Sequence, residues 1–324
     1  MTRFARGVVI GKFLPYHRGH AHLISRALDE SEHVDVVICE RADDPIPGRL
    51  RVNWVQRFHP TAAVHLVDQD AVALTDDDTL GWARVTEQRV GTPDAVFTSE
   101  GYGDAYAAAL GCVHVSVDPE RTAVPVSGTA IRRDPAGNRR FLEPEVNAFF
   151  VRRVCLVGAE STGKTTLARD LAARFDTLWV PEYGHVYQAL GRPDPRGPWT
   201  SDEFIAIARI QGWYEDWLAG YARRVLFCDT DVFATAVWEQ RLRGETSQEV
   251  TELADRRYDL YVLPDLATPF AQDRWNLRDD GPHRREMHEA FRRWIVDREA
   301  PIVEPSGSRS ERVEQVIRAI ELLG

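Results

Sequence analysis

The chain has 324 residues, which predicts two domains, and 44% hydrophobic with 28% charged residues suits soluble globular domains with full cores. A net charge of −10 argues against a general nucleic-acid coat, yet a local cluster of positive groups can still meet a small phosphorylated ligand. No apolar run approaches the roughly 18 residues of a membrane span, and MTRFARGVVIGKF, broken at Gly11-Lys12, reads as neither signal peptide nor anchor.

Taken in chain order, the first half alternates β-branched runs with helix-like segments. GVVIG (7–11), VDVVIC (34–39), AVHLV (63–67), DAVFTS (94–99) and CVHVSVD (112–118) predict strands. Helices are predicted between them, for example at 19–31 and 102–111. Near-continuous apolar strands alternating with helices imply a parallel sheet covered on both faces. The segment 132–150, with Pro135, Gly137 and Pro144, breaks the pattern, which restarts at Val151. The expected domains are therefore 1–148 and 149–324. In the second, 153–158, 225–231, 260–265 and 301–305 predict strands, and 164–175, 201–222, 231–243 and 284–297 predict helices. A last amphipathic helix, SERVEQVIRAIELLG, closes the chain. The expected fold is α/β, with two doubly wound parallel-sheet domains. The four cysteines, Cys39, Cys112, Cys155 and Cys228, lie in or beside apolar runs without a CxxC pair, so they read as buried, reduced thiols of a cytoplasmic protein.

Of the 40 basic residues only two, Lys12 and Lys164, are lysines. GAESTGKTT (158–166) follows a strand and opens a helix, and it fits G-x-x-x-x-G-K-[ST] with Gly158, Gly163, Lys164 and Thr165. Glu160, Ser161, Thr162 and Thr166 complete the loop. Its glycines let backbone N–H groups approach phosphate oxygens, and the helix N-terminus adds partial positive charge. Lys164 reaches the β- and γ-phosphates as a compact ammonium, a task the planar guanidinium of arginine fits poorly. Thr165 can hold Mg²⁺.

VLFCDTD (225–231) ends in Asp229 and Asp231. One carboxylate there can serve the metal shell and the other can take a hydroxyl proton; either can instead cap the following helix. Asp229 is the expected metal partner of Thr165. Glu182, after the run TLWV, is expected at a strand end facing the same cleft. The charged segment DRWNLRDD (273–280) reads as a lid carrying Arg274 or Arg278, or as a solvated loop.

In the first domain, GKFLPYHRGH brings Gly11, Lys12, Phe13, His17, Gly19 and His20 to the end of the first strand. His17, His20 and His22 could be zinc ligands, but no carboxylate or cysteine completes a metal spacing nearby. A phosphate site fits better. Gly19 allows close approach, the helix start favours anions, and imidazole N–H groups donate to oxygens that gain charge in a transition state. VSGTAIRR (126–133) adds Ser127, Gly128 and Thr129 at a turn and Arg132 beyond it, which can be a second phosphate element or an ordinary helix cap with a surface arginine. Trp54 and Trp82 could stack on a ring or sit in the core.

GKFLPYHRGH with VSGTAIR resembles the HxGH nucleotidyltransferase superfamily. Together with TSEGYGDAYAAALG and VCLVGAESTGKTTLARDLA, in this order, the chain resembles the bifunctional nicotinamide-mononucleotide adenylyltransferase/ribosylnicotinamide kinase family. The resemblance implies an HxGH Rossmann-like domain followed by a P-loop kinase domain. The second domain would phosphorylate ribosylnicotinamide with ATP. The first would join nicotinamide mononucleotide to AMP from a second ATP, giving NAD and pyrophosphate. Mg²⁺ is the implied cofactor and ATP the co-substrate in both domains. By motif, His17 and His20 would contact ATP phosphates, Lys12 and Arg132 would neutralise them, and Ser127 and Thr129 would add donors. Some family members begin with a helix-turn-helix domain; here the first strand is expected by residue 7, so a DNA-bound repressor role has no support. The expected partners are therefore small molecules, with no nucleic acid and no membrane insertion, and homo-oligomerisation is open. Two other readings remain: an active kinase with a weak or altered transferase, and an NAD-sensing regulatory protein.

Overall fold

The apolar runs of each half form one parallel sheet. A computed structural model describes residues 2–194, 196–267 and 281–323. Arg274 and Arg278 lie outside the described residues. The chain divides into two compact units, Met1–Val146 and Asn147–Gly324. The division falls slightly before the expected one because Asn147 is bonded into the second unit: its amide donates to the carbonyls of Ala219 (3.3 Å), Gly220 (3.1 Å) and Ala222 (2.9 Å).

The first unit runs β1 (Phe4–Gly11), α1 (Arg18–Glu30), β2 (Ser31–Glu40), α2 (Gly48–Phe58), β3 (Ala63–Asp68), α3 (Thr79–Val90), β4 (Ala95–Thr98), α4 (Gly103–Leu110) and β5 (Val113–Ser116). Short helices α5 (Gly128–Arg133), α6 (Pro135–Asn138) and α7 (Pro144–Phe150) come next, the last crossing the division. Strand order is β3-β2-β1-β4-β5, all parallel, with Val9 opposite both Val36 and Phe97. Every residue of β4 is buried, and so is most of β1 and β2, as a sheet covered on both faces requires. Trp54 and Trp82 are core residues; the Trp82 indole donates to the Thr75 carbonyl at 3.0 Å.

The second unit runs β6 (Arg152–Leu156), α8 (Lys164–Arg174), β7 (Trp179–Val180), α9 (Tyr183–Leu190), α10 (Ser201–Ala219), β8 (Val225–Asp229), α11 (Val232–Arg243), α12 (Gln248–Leu253), β9 (Leu260–Val262), α13 (Gly281–Asp297), β10 (Ile302–Val303) and α14 (Arg309–Glu321). Its parallel sheet has the order β10-β9-β6-β8-β7. Capping boxes start α10 (Thr200, Glu203) and α14 (Ser308, Glu311), each satisfying two otherwise orphaned backbone donors.

Several expectations need correction. The run 225–231 is strand only to Asp229; Thr230 turns out of it at φ +76. Runs 260–265 and 301–305 contract to three- and two-residue strands. TLWV ends in the two-residue strand β7, so Glu182 follows a strand end as expected. Cys39, Cys155 and Cys228 are buried free thiols, but Cys112 is half-buried because it precedes the short edge strand β5.

Candidate active sites at the two sheet switch points

Each sheet reverses direction of growth beside its first strand, and open α/β sheets bind ligands there, at the carboxyl ends of the strands. In the first sheet the crevice lies between β1 and β4. In the second it lies between β6 and β8.

At the first crevice, β1 ends at Gly11, and Phe13 comes just after it in the left-handed region at φ +52 with its ring buried. His17 caps α1: its Nδ1 accepts from the backbone N–H of Gly19 (3.1 Å) and of His20 (3.4 Å). That bond places the proton of the neutral ring on Nε2, the atom left to donate. The His20 ring lies 3.8 Å from His17 and 4.6 Å from Phe13, centroid to centroid.

Burial, then the nearby Arg121 charge, pushes the His17 imidazole down to about 4. Burial, with His17 and Arg121 as neighbours, pushes His20 well down. Both rings are therefore neutral near pH 7, so positive charge at this crevice must come from other residues. The close approach at Gly19 is to this arrangement itself, since a Cβ there would lie 2.9 Å from the His17 ring.

α5 closes the site from the far end of the unit. Ser127 caps it by accepting from Ala130 N–H at 3.1 Å. Arg132 donates to the Leu14 carbonyl and lies 3.3 Å from the Thr129 hydroxyl. A Cβ at Gly128 would collide with that same Leu14 carbonyl, so glycine is needed for α5 to dock on the β1–α1 loop. Lys12 follows the end of β1. Its Nζ lies 2.6 Å from the Asp76 carboxylate in the β3–α3 loop and its side chain is 37% exposed, so it is ion-paired to that loop.

Sequence reasoning missed two residues here. Arg121 pairs with Glu100 at 2.8 Å, and its charge acts on both histidines. Glu100 leaves the end of β4, where Tyr102 donates to the Ile10 carbonyl at 3.2 Å and ties that loop to β1. A lone arginine and a lone glutamate carry no spacing signal; they meet through the sheet order.

At the second crevice, register places Leu156 opposite Asp229, so the loop after β6 starts beside the β8 carboxylate. Gly158 (φ +126), Ser161 (φ +56) and Gly163 (φ +86) set the loop curvature. Lys164 Nζ donates to the carbonyls of Gly158 (3.0 Å) and Ala159 (2.8 Å). Thr162 Oγ1 donates to Ala159 at 3.0 Å, so its side chain braces the loop, whereas Thr166 is exposed on α8. Two arginines clasp the outer side: Arg284 donates to Glu160 and Ser161, and Arg312 donates to Thr162 at 3.1 Å while pairing with Asp265 at 2.7 Å.

The structure separates the two aspartates. Thr165 donates to Asp229 Oδ2 at 2.6 Å, and Asp229 Oδ1 is buried with no partner among the described residues. Burial, reinforced by Glu182, pushes Asp229 up to about 6, against the pull of Lys164 and Thr165. Asp231 caps α11 through Ala234 N–H at 2.8 Å, and burial pushes it up to about 7. Asp231 thus caps α11 with one oxygen, while its Oδ2, like Asp229 Oδ1, is buried with no partner among the described residues.

A pocket opens next to them, lined by Glu160, Glu182, His185, Gln211, Trp199 and Trp238 among others. Burial pushes the Glu160 carboxyl up. Trp199 is held from behind by Arg192, whose guanidinium lies 3.9 Å from its ring centroid and pairs with Glu203 at 2.9 Å. No motif marked Gln211, Trp199 or Trp238; long-range packing gathers them.

The trifunctional NAD biosynthesis/regulator protein NadR of Escherichia coli (strain K12) is 30% identical to this chain over 349 residues, covering 98% of the chain and 82% of the relative. The chain belongs to the NadR family. The NadR protein of Salmonella typhimurium (strain LT2) is 31% identical, covering 82% of the chain and 70% of the relative. Residues 153–312 match the AAA domain family, in agreement with the P-loop of this NadR-type chain. Among solved structures, a NadR protein in complex with NR superposes with a TM-score of 0.71 at 19% identity, covering 98% of this chain and 96% of the other. A NadR protein in complex with NAD and AMP-PNP superposes at 0.70 and 19%, covering 100% and 97%. The NadR fold thus extends over both units.

The His17 geometry has a consequence for stability. The imidazole drops from 6.5 to about 4 on folding, so below pH 6.5 the unfolded chain binds a proton that the folded chain refuses. Stability therefore falls as pH drops from 6.5 to about 4 and levels off below, by about 3 kcal/mol in all. His17→Asn keeps a side-chain acceptor for the α1 cap but cannot titrate. Thermal melts of the full chain between pH 4 and 7 are expected to show a shallower acid loss in this variant. Parallel curves for the two proteins would contradict the assignment.

Proposed function

We infer that the chain is a bifunctional NAD salvage enzyme, phosphorylating ribosylnicotinamide with ATP in its second unit and joining nicotinamide mononucleotide to AMP from ATP in its first. The observation that carries this reading is that the P-loop segment and the HRGH segment each lie at the switch point of their own sheet, in a chain that belongs to the NadR family.

In the kinase unit, the loop amides after β6 and Lys164 receive the phosphates of ATP. Mg²⁺ suits the Thr165 hydroxyl and the Asp229 carboxylate: these are hard oxygen donors in contact, and Asp229 Oδ1 has no other partner among the described residues. When bound, the ion would neutralise charge on the transferred phosphoryl group. The aromatic faces of Trp199 and Trp238 suit the pyridine ring. Glu182 and Glu160 suit the ribose hydroxyls, and a strand-end carboxylate accepts the proton of the attacking 5′-hydroxyl.

In the transferase unit, the mononucleotide phosphate attacks the α-phosphorus of ATP directly and pyrophosphate leaves. No side chain need become covalently bound, so the unit acts by positioning and charge stabilisation. His17 and His20 donate as neutral imidazoles, while Arg121 and Arg132 supply positive charge, with Lys12 at the rim. Free buried thiols and nucleotide substrates suit a cytoplasmic enzyme.

The test is to incubate the pure protein with ATP, Mg²⁺ and ribosylnicotinamide and follow both products. Mononucleotide should rise first and NAD after it. Mononucleotide without NAD would leave a kinase alone; turnover of neither would leave a sensor.

A further inference from the structure

An uncharged residue of α10, Gln211, lines the pocket beside Glu182. Glu182 is the N-cap residue of α9, yet its carboxylate makes no capping bond. The first N–H of that helix, on Tyr183, is satisfied instead from α10, where Gln211 Oε1 accepts it at 2.9 Å. Helix-terminal donors need such a partner when buried. Because Gln211 provides one, this turn is anchored without drawing on the Glu182 carboxylate, which lines the pocket.

A side-chain amide can sit in either of two orientations, and only one presents oxygen to Tyr183. The orientation is set one helical turn away. Glu215, fully buried on the same face of α10, accepts from Gln211 Nε2 at 3.3 Å. Its other oxygen accepts from the Tyr258 hydroxyl at 2.7 Å and lies 3.3 Å from Arg256 Nε. Arg256 is itself held by Asp216 at 2.6 Å, and Asp216 by Arg153 at 2.8 Å. A carboxylate accepts and does not donate, so the amide nitrogen must face Glu215 and the oxygen must face Tyr183. Burial pushes the Glu215 carboxyl up, and Arg256, Tyr258 and Gln211 oppose that by favouring its anion.

We propose that Gln211, oriented by Glu215, is a positioning residue for the nucleoside acceptor: it anchors the Glu182–Tyr183 turn so that the Glu182 carboxylate faces the substrate hydroxyls. The proposal rests on the reading of the second unit as a ribosylnicotinamide kinase. It places the effect on the acceptor side, away from the Lys164 loop that receives ATP.

The experiment is steady-state kinetics of both steps on the full chain, with mononucleotide supplied separately to assay adenylyl transfer as a control for folding. Gln211→Ala should lower kcat/KM for ribosylnicotinamide by about tenfold or more, the scale of one lost buried hydrogen bond. KM for ATP and adenylyl transfer should stay within about twofold. Gln211→Glu alone sets two carboxylates side by side and should be worse. Gln211→Glu combined with Glu215→Gln restores one acceptor for Tyr183 and one donor between the pair, and should recover most of the loss. A merely structural pair would instead shift both substrates together, and the exchange would not restore acceptor KM. An active wild type whose variants are unchanged, or lose ATP and acceptor affinity equally, overturns the proposal. A wild type that does not phosphorylate ribosylnicotinamide overturns the functional reading, and the proposal with it.

Discussion

Lys164→Ala should abolish phosphorylation of ribosylnicotinamide, by about 10³-fold in kcat, while leaving NAD formation from supplied mononucleotide at its wild-type rate. Lys164 opens α8, and its ammonium lies within 3.0 Å of two loop carbonyls, so the charge sits inside the curve of the loop. Alanine removes that charge from the place where phosphate charge must be met. Lys164→Arg should fail nearly as badly, because a planar guanidinium does not fit inside the loop. Parallel assays of the two steps decide the matter. Equal loss of both activities would contradict two independent sites.

His20→Ala should give the mirror result: adenylyl transfer falls by about 10²- to 10³-fold and the kinase step is retained. The ring is packed between Phe13 and His17, so alanine removes both a donor and the stack that orients His17. His20→Asn separates the two contributions, since it keeps a polar donor but not the stack. Because burial holds both imidazoles neutral, adenylyl transfer should show no falling limb from their protonation between pH 5.5 and 8. An inflection near 6.5 that disappears in His17→Asn would refute the neutral-donor assignment.

Much of this site chemistry was legible in local sequence. The P-loop declares itself because its function needs glycines, a lysine and a hydroxyl at fixed spacing between a strand and a helix. HRGH and SGTAIR are short for a like reason: each sits at one helix start. The rarity of lysine marked both Lys12 and Lys164. Both lie at a strand-end loop, but Lys12 is taken up by Asp76, a residue far along the chain that no spacing connects to it. The paired aspartates were seen and their tasks left open, since a carboxylate after a strand serves equally as cap or as loop partner. Thr230, turning at φ +76, sends Asp231 to the α11 cap and leaves Asp229 against Thr165.

By itself the sequence determined two doubly wound units, their order, and the loop motif at the first strand end of each, because apolar periodicity and short loop motifs are local properties of the chain. Tertiary structure alone decided which groups surround those elements. Arg121 comes to the histidines, Gln211 to the Glu182 turn and Trp199 to the pocket beside them through strand order and helix packing. It also decided the charge state of the histidines, since an imidazole's preference for its neutral form is set by how deeply it is buried and which charges lie beside it.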